Sequence, residues 1–273
     1  MKKTISKLYK LLGFKIIQFK KKSVDIDIKK TLKCDYGEEA FEQIKIIRPY
    51  SMMPYTNLLT LYEQVVFIEK TLLEGDFVEC GVWKGGSVGL MALANLKHST
   101  TRRKIHLFDV YDNGSEPDPD VDGKFAIKQI KKLVGKKDLE VKGRLRPVEG
   151  AYECFGGKGT LEGNQYLLEG IIGYDKNKIN YHKGWFQDTV PKDAHEIKKI
   201  AILRLDGDFY NNTKVCLEYL YDNVVSNGLI IIDDYGTYDG CKKAVDEFRM
   251  KNNIDSFLHY SNPDCRYWFK NSM

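Results

Sequence analysis

Apolar and polar positions along this chain change their period repeatedly, and the changes mark its elements. Residues 37–74 read as two helices broken by Arg48-Pro49-Tyr50-Ser51-Met52-Met53-Pro54, and the second, from Leu58 to Leu73, is long and amphipathic. A strand-sized apolar run follows at Asp76–Gly81, then a glycine-rich turn and a helix from Gly86 to about Lys97. A second strand spans Ile105–Val110. Helix signals recur over 124–134, and short strand candidates lie at 178–182 and 200–205. A helix at 213–225, a strong apolar strand at Gly228–Ile232 and a helix at 239–251 complete the alternation. Segments 256–260 and 266–270, around Asn262-Pro263-Asp264, predict a β-hairpin. Strands alternating with helices imply a mostly parallel sheet covered on both faces, and the closing antiparallel hairpin makes that sheet mixed. The pattern therefore predicts an α/β fold with a doubly wound mixed sheet. One domain over 48–273 carries it, behind a basic helical leader and cap over 1–47.

Composition narrows the class. With 42% apolar and 12% aromatic residues, the 273-residue chain can bury a sizeable core, which excludes wholesale disorder. No run reaches the ~20 apolar residues that span a bilayer. The six cysteines are scattered with no CxxC pair, which argues against a zinc module and a secreted disulfide framework. A reduced, cytoplasmic location is the expectation.

The net charge of +5 hides an asymmetry: residues 1–30 hold ten lysines and two acids, so the rest carries 5 − 8 = −3. No basic face with stacking aromatics is offered for nucleic acid. Leu8, Leu11, Leu12, Ile16 and Phe19 in the leader fall at roughly helical spacing. Such a helix can touch an anionic membrane surface peripherally or bury surface in a homo-oligomer, but a solvated, partly frayed first helix is the preferred reading.

The segment Glu79-Cys80-Gly81-Val82-Trp83-Lys84-Gly85-Gly86-Ser87 follows a strand and opens a helix, the place where doubly wound sheets bind nucleotide-like ligands. Its G-x-x-x-G-G spacing departs from the dinucleotide fingerprint G-x-G-x-x-G. A pyrophosphate wants helix N–H groups and no neighbouring anion, whereas Glu79 suits a cationic ligand such as S-adenosylmethionine. Asp109, ending the second strand, is placed to take two ribose hydroxyls. Nicotinamide enzymes use an acid there too, so an NAD-dependent sugar oxidoreductase stays open.

Asp206-Gly207-Asp208 and Asp233-Asp234 end two further strands, so both sets project from the carboxyl edge of the sheet. Clustered anions are costly unless a cation neutralises them. Carboxylate oxygens select a hard divalent ion, with Mg²⁺ the expected occupant. Beside a sulfonium donor such an ion can acidify a hydroxyl, with one aspartate accepting its proton. Blander readings exist: Asp208 as a cap on a helix beginning near Asn212, and Asp233-Asp234 as turn chemistry.

Weaker signals surround these. Asp118-Pro119-Asp120-Val121-Asp122-Gly123 resembles the start of a calcium loop but has Gln129 where a bidentate Glu is wanted, so an acidic lid is preferred. Gly156-Gly157-Lys158-Gly159-Thr160 reads as a flexible loop rather than a phosphate loop. His182 can reach a ligand or be a satisfied structural histidine, and His106 belongs to the core.

Together these residues resemble the macrocin O-methyltransferase (TylF) family. The resemblance rests on Tyr50-Ser51-Met52, Glu79–Gly86, Gly184-Trp185-Phe186-Gln187-Asp188-Thr189-Val190-Pro191, Leu205–Tyr210, Ile232-Asp233-Asp234-Tyr235 and Cys241–Arg249, in the family's order over about residues 48–270. It implies a Rossmann-like class I methyltransferase fold and transfer of a methyl group from S-adenosylmethionine to a sugar hydroxyl, with Mg²⁺. It further implies Asp206, Asp233 and Asp234 as metal ligands, Asp206 doubling as general base. Ser51, Met52, Glu79, Gly81, Gly85, Ser87, Asp109 and Trp185 would line the cofactor pocket. The lysine-rich composition and the long glycine-rich stretch from Val141 to Tyr181 depart from the family and shift the expected acceptor. A surface glycan or nucleotide-linked sugar then stands beside a glycoside, and a catechol-like phenol is the alternative with the same metal logic.

Overall fold

The structure, a computed structural model, describes residues 36–271; Cys34 and the basic leader with its helical pattern lie outside them. The chain divides into two units, residues 1–41 and 42–273. Helix α1 (Gly37–Ile47) opens within the first, and the sheet with its covering helices belongs to the second.

A short 3₁₀ turn, Arg48–Tyr50, and Pro54 end one helix and begin the next, α2 (Tyr55–Lys70). Arg48 stabilises this break by donating from a guanidinium nitrogen to the Met53 carbonyl at 2.6 Å. α2 buries Leu58, Leu61, Tyr62, Val65 and Ile68 along one stripe and packs on α3 (Gly86–His98). Each such side chain, fully buried, stabilises the fold by roughly 1.5–3 kcal/mol.

Seven strands form one sheet: β1 (Asp76–Cys80), β2 (Ile105–Asp109), β3 (Ile179–Lys183), β4 (Ile200–Leu205), β5 (Val224–Ile232), β6 (His259–Tyr260) and β7 (Arg266–Phe269). Their order is β3-β2-β1-β4-β5-β7-β6, parallel through β5, with β7 and β6 antiparallel. The covering helices are α3, α4 (Gly123–Val134), α5 (Leu161–Gln165), α6 (Phe186–Asp193), α7 (Tyr210–Leu220) and α8 (Asp239–Lys251). Strand order reverses between β1 and β4, which opens a crevice at their carboxyl ends. Register makes those ends flush: Cys80 pairs with Leu205, and Leu205 with Ile232. Val78, Cys80, Leu203, Leu205, Ile230 and Ile232 pack with Val190, Leu217 and Val245 as one buried cluster, which keeps this edge rigid.

Several boundaries depart from the sequence reading for tertiary reasons. α7 starts three residues before the predicted 213 and ends at Leu220. Its first turn is capped from another loop, where Asp122 Oδ1 accepts from the Tyr210 N–H at 2.7 Å. The capping role considered for Asp208 is thus filled by Asp122. The acidic segment Asp118–Gly123 lies across the starts of α7 and α8: Asp118 also accepts from Asn211 Nδ2, and a Cβ on Gly240 would fall 1.8 Å from Asp122 Oδ1. The Val141–Tyr181 stretch contains a 3₁₀ turn, then α5, which runs on as a π-helical turn over Tyr166–Ile171. Among the described residues no helix is long and apolar enough to cross a membrane.

Candidate active site

The chain direction at β1, β4 and β5 brings Gly81, Asp206 and Asp233 side by side, one residue past each strand. Asp206 N–H donates to the Cys80 carbonyl at 2.8 Å and Asp233 N–H to the Leu205 carbonyl at 2.9 Å. Gly81 has φ +90, and a Cβ there would lie 1.9 Å from the Asp206 carbonyl oxygen. Only glycine permits this approach of β1 to β4.

The turn after β1 is strained and held. Trp83 has φ +46 and Gly85 φ +82, a region that costs a non-glycine residue free energy. Asp109 holds the turn from below: its Oδ2 accepts from the Val82 and Trp83 N–H groups at 2.7 and 3.1 Å, and its Oδ1 from Tyr111 N–H at 2.7 Å. Burial raises the Asp109 carboxyl, against those three N–H bonds. The residue expected to take ribose hydroxyls therefore also builds the loop, while its side chain still lines a cleft.

Five carboxylates and one cation meet at the crevice. Arg204, wholly buried in β4, reaches Glu79 Oε1 at 2.5 Å, Asp206 Oδ2 at 2.9 Å and Asp233 Oδ1 at 2.8 Å, with Met53 Sδ at 3.3 Å. Ser87 Oγ donates to the same Glu79 oxygen at 2.5 Å. Burial pushes the Glu79 carboxyl up to about 7, with Arg204 and Ser87 opposing it. Glu79 does not face open space. It is wholly buried, with Oε1 taken by Ser87 and Arg204 and Oε2 without a hydrogen-bond partner.

The oxygens that gather most closely belong to Asp206, Asp208 and Asp234, all within 4.8 Å of one another. This set has Asp208 where Asp233 was expected beside Asp206 and Asp234; Asp233 Oδ1 lies against Arg204 at 2.8 Å. Burial, then neighbouring acids, pushes Asp208 up to about 8 and Asp234 well above the usual carboxylate range. Burial raises Asp233 to about 6, Arg204 working against it. Asp234 Oδ2 is buried without a hydrogen-bond partner. Hard oxygen donors that repel one another, one of them unpartnered, fit a divalent cation.

Two clefts flank this cluster, and Asp206 and Asp208 stand in the walls of both. One is lined by Gly81, Trp83, Asp109, Tyr152, Trp185 and Phe186. The other is lined by Ser51, Met52, Ser87, Asp233 and Asp234. Tyr50 and Ser51 sit tightly on the start of α3, where a Cβ on Gly86 would meet the Tyr50 carbonyl oxygen at 2.5 Å. Gly85 shapes the turn without lining either cleft.

Sequence reasoning missed Arg204 and Tyr152. The first had a signal, a single arginine inside an otherwise apolar strand. The second had none, since it lies in the irregular glycine-rich stretch; burial and the charges of Asp208, Asp109 and Asp206 hold its phenol well above the ordinary range. His182 is structural: it sits between His106 (3.1 Å) and Asp193 (2.8 Å) and stacks on Phe108.

The sequence matches the macrocin-O-methyltransferase (TylF) family over residues 19–156 and 170–270. It is 32% identical over 199 residues to demethyldecarbamoylnovobiocin O-methyltransferase of Streptomyces niveus, covering 71% of this chain and 65% of that protein. It is 30% identical over 180 residues to 8-demethyl-8-(2,3-dimethoxy-alpha-L-rhamnosyl)-tetracenomycin-C 4'-O-methyltransferase of Streptomyces olivaceus, covering 66% and 60%. The chain therefore spans less than two thirds of either relative's length. Among solved structures, the O-methyltransferase NovP superposes with a TM-score of 0.62 at 28% identity, covering 82% of this chain and 83% of that one. The calicheamicin methyltransferase CalS11 shares the fold, with a TM-score of 0.51 at 17% identity over 87% and 93%. Both flanks of the acid-lined crevice fall within the matched stretches, and this protein is a member of the macrocin-O-methyltransferase (TylF) family.

Proposed function

We propose that this protein is an S-adenosylmethionine-dependent O-methyltransferase whose acceptor is a sugar hydroxyl. The observation that carries the reading is the position of Asp206, in the wall shared by both clefts and at the sheet's switch point. One cleft suits the adenosine half of the cofactor, between Gly81, Asp109 and Trp185. Ser51, Met52 and Ser87 suit its methionine half. Glu79 and Gly85 contribute from behind, the one through Ser87 and Arg204, the other through the shape of the turn. Family membership supports the activity, and a relative named for methylating a rhamnosyl compound supports the sugar.

When bound, S-adenosylmethionine supplies an electrophilic methyl carbon, and a divalent ion, Mg²⁺ in this reading, supplies Lewis acidity at the acceptor hydroxyl. Asp206 and Asp234 are its proposed ligands together with Asp233, as the family resemblance implies, or Asp208, whose oxygen already stands beside them. Asp206 accepts the hydroxyl proton as general base, and Arg204 fixes the carboxylate for that transfer. Trp83, Trp185 and Phe186 exclude water around the transferring carbon. Nucleotide-linked sugars, surface glycans and glycosides are all acceptors of this class.

The test is mass spectrometry for the gain of one methylene across a panel of glycosides, sugar nucleotides and catechols, with and without EDTA. Transfer to a sugar, lost with EDTA and reduced about a hundredfold by Asp206→Asn, is the expected result. Binding of NAD in place of S-adenosylmethionine would overturn it.

A further inference from the structure

The family match skips residues 157–169, and the structure puts this segment against the turn after β1. Asn164 is completely buried, and its Nδ2 donates to the Trp83 carbonyl at 2.8 Å and to the Thr160 carbonyl at 2.9 Å. Its Oδ1 is buried without a hydrogen-bond partner and faces Gly85, where an added Cβ would fall 2.4 Å from it. The Trp83 indole N–H donates to the Gly157 carbonyl at 3.0 Å. Gly159 backs onto the same residue so closely that a Cβ would lie 1.9 Å from the Trp83 carbonyl oxygen. Lys84 Nζ reaches the adjacent Gly156 carbonyl at 2.7 Å. Leu167, in the π-helical turn, packs on both Gly85 and Gly89 of the helix that the turn opens.

These contacts complete a grip. Asp109 takes the N–H side of the turn, and the 157–169 segment takes its carbonyl and indole side. Trp83 stands at positive φ between them and lines both clefts. A turn held in a strained conformation before the ligand arrives lowers the ordering cost of binding.

We propose that residues 157–169 form a clamp that presets the Trp83–Gly85 turn for the cofactor, with Asn164 as its positioning residue. The proposal rests on the cofactor reading above. Because the clamp acts on the turn and not on the reacting atoms, its loss weakens cofactor binding and leaves turnover at saturation in place.

The experiment uses the full chain with S-adenosylhomocysteine as calorimetric probe, together with hydrogen exchange on the unliganded protein. Asn164→Ala should raise the Kd about tenfold, raise the cofactor KM in parallel, keep kcat within about twofold, and speed exchange at residues 82–86. Asn164→Asp, which keeps the volume but sets a carboxylate against the Trp83 carbonyl, should do the same. Lys84→Met, which removes the ammonium that holds the Gly156 carbonyl and lies outside both clefts, gives a milder form should Asn164→Ala not fold. An unchanged Kd with only a lowered melting temperature, or unchanged exchange at 82–86, would overturn the clamp. Failure of the unaltered protein to bind S-adenosylhomocysteine sinks the cofactor reading instead, while the exchange result still judges the clamp.

Discussion

Arg204 is the cation set among five acids, and its three contacts decide which of them are held and which are open. Removing it leaves Glu79 buried without a counter-charge and half-buried Asp233 without its guanidinium, so Arg204→Leu should cost about 3–5 kcal/mol of unfolding free energy in denaturant titration. Adding Glu79→Gln to that variant should recover part of the loss. Aspartates divide differently. Asn substitutions at Asp206 and at Asp234 should each weaken Mn²⁺ binding by about tenfold or more, read by electron paramagnetic resonance. Of Asp208→Asn and Asp233→Asn, the more damaging identifies the third ligand, because an Asp208 oxygen already stands beside those of Asp206 and Asp234 while Asp233 Oδ1 is held by Arg204. This ambiguity could not be seen in the chain. Asp206, Asp208, Asp233 and Asp234 are equally good oxygen donors on paper, and side-chain direction separates them.

At the scale of elements, long loops are fixed by single acids. Glu116 sits after β2 and gathers the 142–146 segment: it accepts from the Lys142 and Arg144 N–H groups and from the Arg144 and Arg146 guanidinium groups. Burial alone would raise its carboxyl, but the bonds from Arg144, Lys142 and Arg146 outweigh it and hold it at about 2. A depressed carboxylate contributes stability above its unfolded pKa and loses it as pH falls toward the folded value. Glu116→Gln should therefore destabilise the protein by on the order of 2 kcal/mol at neutral pH. The difference should fade between about pH 4.5 and 2, as followed by thermal melts across pH. The strands and the long helices were legible because their periodicity is local. Asp122 capping α7 was not, since the cap comes from a loop 88 residues away in sequence. The glycine-rich stretch was illegible for the same reason: its order comes from Trp83, Lys84 and Asn164, and not from any period of its own.

For the whole molecule, alternation of strands and helices in the sequence was enough to predict a doubly wound sheet, and the strand order places the site where that architecture binds ligands. Chain order alone determined that acids and glycines would end up at the carboxyl edge, because each directly follows an apolar strand run and the strands are parallel. It determined the family, through short motifs whose order and spacing survive in a single chain. Tertiary structure alone decided that Glu79 is closed off behind Ser87 and Arg204, that Asp233 faces a guanidinium, that Tyr152 lines a cleft, and that Asn164 backs the Trp83 turn. The physical reason is reach. Periodicity reports which face of an element is buried, whereas hydrogen bonds and ion pairs between distant segments depend on register, side-chain direction and loop path, which only the packed fold fixes.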